Sequence, residues 1–324
     1  MFPFKRSSLL LVPPVLYCAA LFCATLFFPE DATTEQQAGT SNPRDRVAIE
    51  MANVLFRYSP ELAVSIVRLQ GELLPAPGHA VVSFNDPASF LVATDAAEMR
   101  MNMAQLSALM NSWLLRSPKA QLKNVRIAAE DGRLQIHGTM KKGLHIPFSS
   151  TATVSISNDN RIRIAVEKVK AADLPLKGFM DALGMSLDDL ISQKGLQGLS
   201  VDKDAFLIDP QTAFPPPQIR ARIAGVNIVG QNLVLTFGRG APQLKPRPWK
   251  NYMAMRGGSM QYGREQMFDS DLTMIDSTPA DPFEFYLHDY WCQMVAGSIK
   301  AQPDKSMRVY VPDYSKMPKG ACRR

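Results

Sequence analysis

The segment DAAEMRMNMAQLSALMNSWLLRSP, residues 95–118, decides how the rest of the chain is read. Met99, Met103, Leu106, Met110 and Trp113 recur at steps of four and three, with Leu114 beside the last, which is the spacing of one helical face. Asp95 stands at an N-cap position, Glu98 follows three residues later to complete a capping box, and Pro118 closes the run. The segment therefore predicts a helix from Asp95 to Arg116. Met99, Met101, Met103 and Met110 crowd into it; such side chains fill core gaps, and they equally suit a wall that adapts to variable acyl chains.

Downstream the period changes to two. In LKNVRIAAE, Val125 and Ile127 alternate with Asn124 and Arg126, and Asp131-Gly132 reads as a hairpin turn. RLQIHGTM repeats the alternation with Leu134, Ile136 and Met140, and RIRIAVEKV repeats it with Ile162, Ile164 and Val166. These strands predict an antiparallel sheet with one polar and one apolar face, and the apolar face must be covered. Two short helices are expected at 174–184 and 186–195, an irregular crossover at 206–217, and a further hairpin at 219–238 that places Leu233, Leu235 and Phe237 on one face.

Upstream, Val47, Met51, Val54, Leu55 and Tyr58, then Leu62, Ile66 and Leu69, predict a helical segment over 44–78, bent at Ser59-Pro60. At the other end, the proline-rich 241–249 reads as a hinge or wrapping segment. Strands near 258–262 and 269–275, a helix from Asp281 to Ile299 and a strand at 307–311 follow it. The expected organisation is an anchor at 1–28, a tether at 29–43, the helical segment at 44–78, a helix-plus-sheet domain at 79–240 and an α/β extension at 241–324. The fold class is α+β, a curled antiparallel sheet wrapped on long amphipathic helices behind a transmembrane helix.

The anchor rests on Leu9 to Phe28, an uncharged run about as long as a ~30 Å hydrocarbon core requires. Lys5 and Arg6 precede it and Glu30, Asp31 and Glu35 follow, so the N-terminus is expected in the cytoplasm. Small residues are poorly placed for cleavage, which favours a signal-anchor over a removed leader. The expectation is a single-pass protein of the inner (cytoplasmic) membrane with its bulk periplasmic or otherwise extracytoplasmic. In an oxidising space Cys292 and Cys322 are then a candidate disulfide.

A hydrophobic content of 46% is enough for a core, and the net charge of +6 is spread along strands instead of gathered on a helix. That argues against nucleic acid and leaves a solvated cationic surface or attraction to anionic lipid headgroups. Catalytic signatures are missing: the chain has no HExxH, GxSxG, phosphate-binding glycine loop or CxxC. His288 beside Asp289, with Asp281, Glu284 and Ser298 near in sequence, is the best candidate base, but such residues also furnish the polar side of any helix. Asp269, Asp271, Asp276 and Asp281 lack the spacing of a calcium loop. No enzyme, no metal and no cofactor are expected.

The succession AEMRMNMAQLSALMNSWL, LKNVRIAAEDGRLQIHGTM and DLPLKGFMDALGMSLDDLI resembles the tubular lipid-binding (TULIP) superfamily and similar bacterial cell-envelope domains of unassigned function. The likeness spans roughly residues 90 to 238 and lies in the order of elements, so no family residue is carried over. It implies a long helix along a curled sheet with an apolar tunnel for acyl chains. Independently of that likeness, an apolar, methionine-rich helix on a one-sided sheet either fills the gap or leaves a cavity. If it leaves one, Met103, Leu106, Met110 and Trp113 line it with Val125, Ile127, Leu134, Ile136, Ile164 and Leu235. The expected function is then a membrane-anchored protein that binds or shuttles phospholipid or another acyl lipid. The rival is a solidly packed scaffold or assembly module without ligand. A continuous apolar cavity of several hundred Å³ would favour the first.

Overall fold

The structure is a computed structural model that describes residues 46–117, 120–142, 144–171, 174–175, 198–203 and 205–318. The described residues form one compact unit. The chain is mostly strand. It opens with β1 (Val47–Arg57), β2 (Ala63–Pro75), β3 (Val82–Ser83) and β4 (Phe90–Asn102), which leads directly into helix α1 (Met103–Ala108) and a π-helical turn, Leu109–Leu114. Next come β5 (Leu122–Glu130), β6 (Arg133–Lys142), β7 (Leu144–Ile156), β8 (Ile162–Ala171), β9 (Leu174–Pro175), β10 (Leu199–Asp202) and β11 (Ala205–Ile208). A short α2 (Pro210–Ala213) precedes β12 (Gln218–Arg220), β13 (Ile223–Val229), β14 (Asn232–Gly238), β15 (Tyr252–Tyr262), β16 (Glu265–Asp276) and β17 (Phe283–Tyr286). The chain continues through a 3-10 turn at Leu287–Asp289, α3 (Tyr290–Ala296), β18 (Ser298–Ala301) and β19 (Met307–Val311).

Two sheets result. The larger runs β13-β14-β4-β2-β1-β15-β16-β19-β18, with β12, β17 and β3 pairing onto β4, β1 and β15. The smaller runs β10-β11-β8-β7-β6-β5, with β9 on β8. Hairpin β13–β14 joins them: the Asn160 side chain pairs with both backbone groups of Ile223, and the Gln231 side chain pairs with both of Ala129. One continuous apolar core spans both sheets.

The α+β expectation is corrected, because among the described residues the long amphipathic helices are strands. In β1, Val47, Ile49 and Met51 are buried at a period of two, and the parity shifts at Asn53, whose φ of 50° lies in the left-handed region. In β4, Met99 and Met101 are buried in strand, so helix α1 begins only at Met103. Its cap is Asn102, not Asp95: the Asn102 side chain accepts from Gln105 N–H while Gln105 reaches back to the Asn102 N–H. The helix expected from Asp281 to Ile299 is instead β17, a 3-10 turn, α3 and β18. The long helix implied by the likeness to tubular lipid-binding domains is therefore replaced by a short one.

The transmembrane signal-anchor and the single-pass inner-membrane placement are likewise not carried forward. Leu9 to Phe28 lie outside the described residues, and among those described no helix is long and apolar enough to cross a membrane. The helices expected at 174–184 and 186–195 fall outside them too, except for Leu174–Pro175, which pairs with β8 as strand.

Candidate functional site: an apolar cavity between helix α1 and the smaller sheet

Strand β5 is the edge of the smaller sheet, and its outward backbone groups would be unpaired without a neighbour. Helix α1 and its π-helical extension supply one. Ser107 Oγ accepts from Ile127 N–H at 2.8 Å, and Asn111, one helical turn on, takes Val125. The Asn111 carbonyl accepts from Val125 N–H at 2.8 Å and its amide donates to Val125 C=O at 2.6 Å. Gln231 continues the series at Ala129, and its own C=O accepts from Met103 N–H. Three side chains thus stand in for a strand and fix the helix against the sheet.

Between them lies a cavity of about 60 Å³. Met110 and Leu115 form its helical side; Leu122, Val125, Ile127, Ile136, Met140, Phe148, Ile164, Val166 and Val169 form the sheet side, continued by Leu199, Phe206 and Ile208 of β10 and β11. Its wall is hydrocarbon apart from Ser150, whose buried Oγ has no hydrogen-bond partner. A buried hydroxyl without a partner is uncommon and calls for a reason.

Of the residues the sequence proposed, Met110, Val125, Ile127, Ile136 and Ile164 lie on this wall. Met103, Leu106 and Leu134 are buried in close-packed core beside it. Trp113 is half-buried against the core, and the Arg116 guanidinium sits 4.1 Å over its ring. Leu235 belongs to the other sheet, where it pairs with Met99. Ser150, Phe148, Val169 and Leu115 were missed. In PFSSTATVSIS a run of small polar residues hides which side faces in, and β7 and β8 slip register between Thr151 and Ala152. Cys292 is disulfide-bonded, while Cys322 lies outside the described residues.

The residues considered for catalysis are dispersed. Glu284 is buried, paired with the Arg57 guanidinium and accepting from Ser315 N–H at 2.9 Å. Burial alone pushes its carboxyl up most strongly, but the Ser315 hydrogen bonds and the Arg57 charge outweigh it and hold the group below its usual range. Asp281 pairs with Lys316 on the surface, Ser298 lies on edge strand β18, and His288 is exposed. His79, His137 and His145 are exposed as well. Among the described residues no group of His, Cys, Asp and Glu could hold a metal. No family model matches the sequence, no curated protein matches it and no solved structure matches its fold, so the likeness to tubular lipid-binding domains stands on the sequence alone.

Proposed function

We propose that the chain is a non-enzymatic module that takes a slender apolar group, such as the end of an acyl chain, between helix α1 and the smaller sheet. The observation that carries this is the cavity wall, which is hydrocarbon except for the unpaired Ser150 hydroxyl. A hollow of that make-up has nothing to offer a polar substrate, while one hydroxyl can orient a single carbonyl or hydroxyl on an otherwise apolar ligand. The π-helical turn at Leu109–Leu114 adds support, because such turns are rare and concentrate at functional sites.

A specific observation favours a second reading. At about 60 Å³ the cavity falls below the ~300 Å³ at which ligand pockets begin, so a whole acyl chain does not fit without movement of the helix. On that reading the module is packed solid and acts through its surface as a scaffold. Ser150→Leu separates the two, since leucine fills the void and removes the stranded hydroxyl. Ligand binding predicts that the wild type binds a fluorescent fatty acid saturably and that Ser150→Leu folds but binds it at least tenfold more weakly. The scaffold predicts no saturable binding by either protein, and a variant that is only more stable.

A further inference from the structure

A second concavity lies on the larger sheet, far in sequence from the apolar cavity and opposite to it in chemistry. It is a groove of about 780 Å³ where the β15–β16 turn meets the end of β3 and the start of α3. Its floor is aromatic and stiff. Buried Phe84 and Tyr290 line it and meet edge to face, and Tyr262 backs them from the core with its centroid 4.7 Å from that of Tyr290. Burial pushes both phenols up, so each keeps its proton at neutral pH.

The polar end of that floor is tied to the turn. Tyr290 O–H donates to Asn85 Oδ1 at 2.5 Å and accepts from Gly263 N–H at 2.7 Å, while Asn85 Nδ2 donates to Gly263 C=O at 2.6 Å. Gly263 is a residue no other can replace cheaply: φ is +63°, and a Cβ there would meet the Trp291 ring at 2.7 Å. The indole packs against the glycine on one side and is 48% exposed. Cys292, next to it, is disulfide-bonded.

Around the platform the rim carries Arg264, Glu265 and His288, all exposed, with Asn85 at the turn. The two full charges are of opposite sign and adjacent, so the groove selects neither an anion nor a cation. What it offers is one exposed flat apolar face beside several donors and acceptors. We infer that this groove binds a neutral saccharide, whose apolar ring face stacks on Trp291 while its hydroxyls hydrogen-bond to Arg264, Glu265 and His288. A ring with an apolar face and an equatorial belt of hydroxyls matches that layout; a lipid chain would leave the charges unpaired. The inference does not depend on the apolar cavity.

The test is calorimetric titration of the full chain with neutral disaccharides, cellobiose, maltose and N,N′-diacetylchitobiose, alongside Trp291→Leu and Arg264→Ala. Leucine keeps apolar bulk over Gly263 but removes the flat face. The expected result is saturable binding of at least one disaccharide that weakens tenfold or more in Trp291→Leu and severalfold in Arg264→Ala, with melting temperatures of both variants near the wild type. Absence of saturable binding by all three sugars overturns the inference. Binding that survives unchanged in both variants overturns it too, as does preference for a charged sugar acid over its neutral parent.

Discussion

Glu284 shows what a single side chain must satisfy in this molecule. It is buried, yet it stays ionised because Arg57 and Ser315 reward the charge more than burial opposes it. A carboxylate whose folded pKa is depressed contributes stability that is present above its unfolded value and lost as the pH falls through the folded value. Stability of the fold is therefore expected to hold above about pH 5 and to decline below the ordinary glutamate value of about 4.3. Glu284→Gln removes this titration. Urea midpoints between about pH 3 and pH 7 check it: the acid-side slope should be shallower in the variant than in the wild type. An equal slope in both would assign the acid response to other carboxylates. The same neighbourhood holds Gln293, fully buried and bonded to three backbone groups, Tyr286 N–H, Glu284 C=O and Pro312 C=O. It latches α3 to β17 and the end of β19.

At the scale of elements, the docking of helix α1 depends on Asn111 and Ser107 serving as partners for the exposed edge of β5. Asn111→Ala strands the Val125 N–H and C=O, and at a half-buried site that costs about 1–3 kcal/mol. Equilibrium urea unfolding measures it. A change under about 0.5 kcal/mol, the level of an ordinary surface substitution, would mean that water replaces the amide and that the helix is held by apolar contact alone.

Elements also show where the sequence was legible. The β5–β6 hairpin, strand β14 of the hairpin expected at 219–238 and strand 307–311 were readable because most of their apolar residues alternate, although 219–220 proves to be a separate strand paired with β4. The helix expected from Asp95 was not, for a geometric reason. Residues four apart share a face in both a helix and a strand, so Met99 and Met103, like Val47 and Met51, fit either period. The residues that decide are those two apart: Ile49 between Val47 and Met51, and Met101 between Met99 and Met103, are all buried. The true start of α1 was nevertheless present in the sequence as Asn102 followed three residues later by Gln105. Of the cavity, Val125, Ile127, Ile136 and Ile164 were legible from the alternation in β5, β6 and β8. Phe206 and Ile208 of β11, in a stretch that read as an irregular crossover, and the residues placed by the β7–β8 register slip, Ser150 among them, were not. Trp291 escaped notice because a single aromatic in an amphipathic segment carries no periodic signal.

At the scale of the molecule, two sheets share one core, and the hollow between helix α1 and the smaller sheet is small and dry in character. The sequence placed Leu106 and Ile136 alike on the expected cavity wall, and the structure separates them. Leu106 is 2% exposed within close-packed core, so a charge there strands an ion and disrupts folding whatever the function. Ile136 lines the cavity and is half-buried, so a carboxylate at that position can turn toward the open side. The central claim, that this cavity holds an apolar group, is tested most directly by native mass spectrometry of the gently purified full chain and of Ile136→Glu. The account predicts wild-type protein carrying the added mass of an acyl-bearing molecule, and a folded Ile136→Glu without it. Wild type at the bare polypeptide mass, with Ile136→Glu aggregating, would contradict it and leave the packed scaffold as the function.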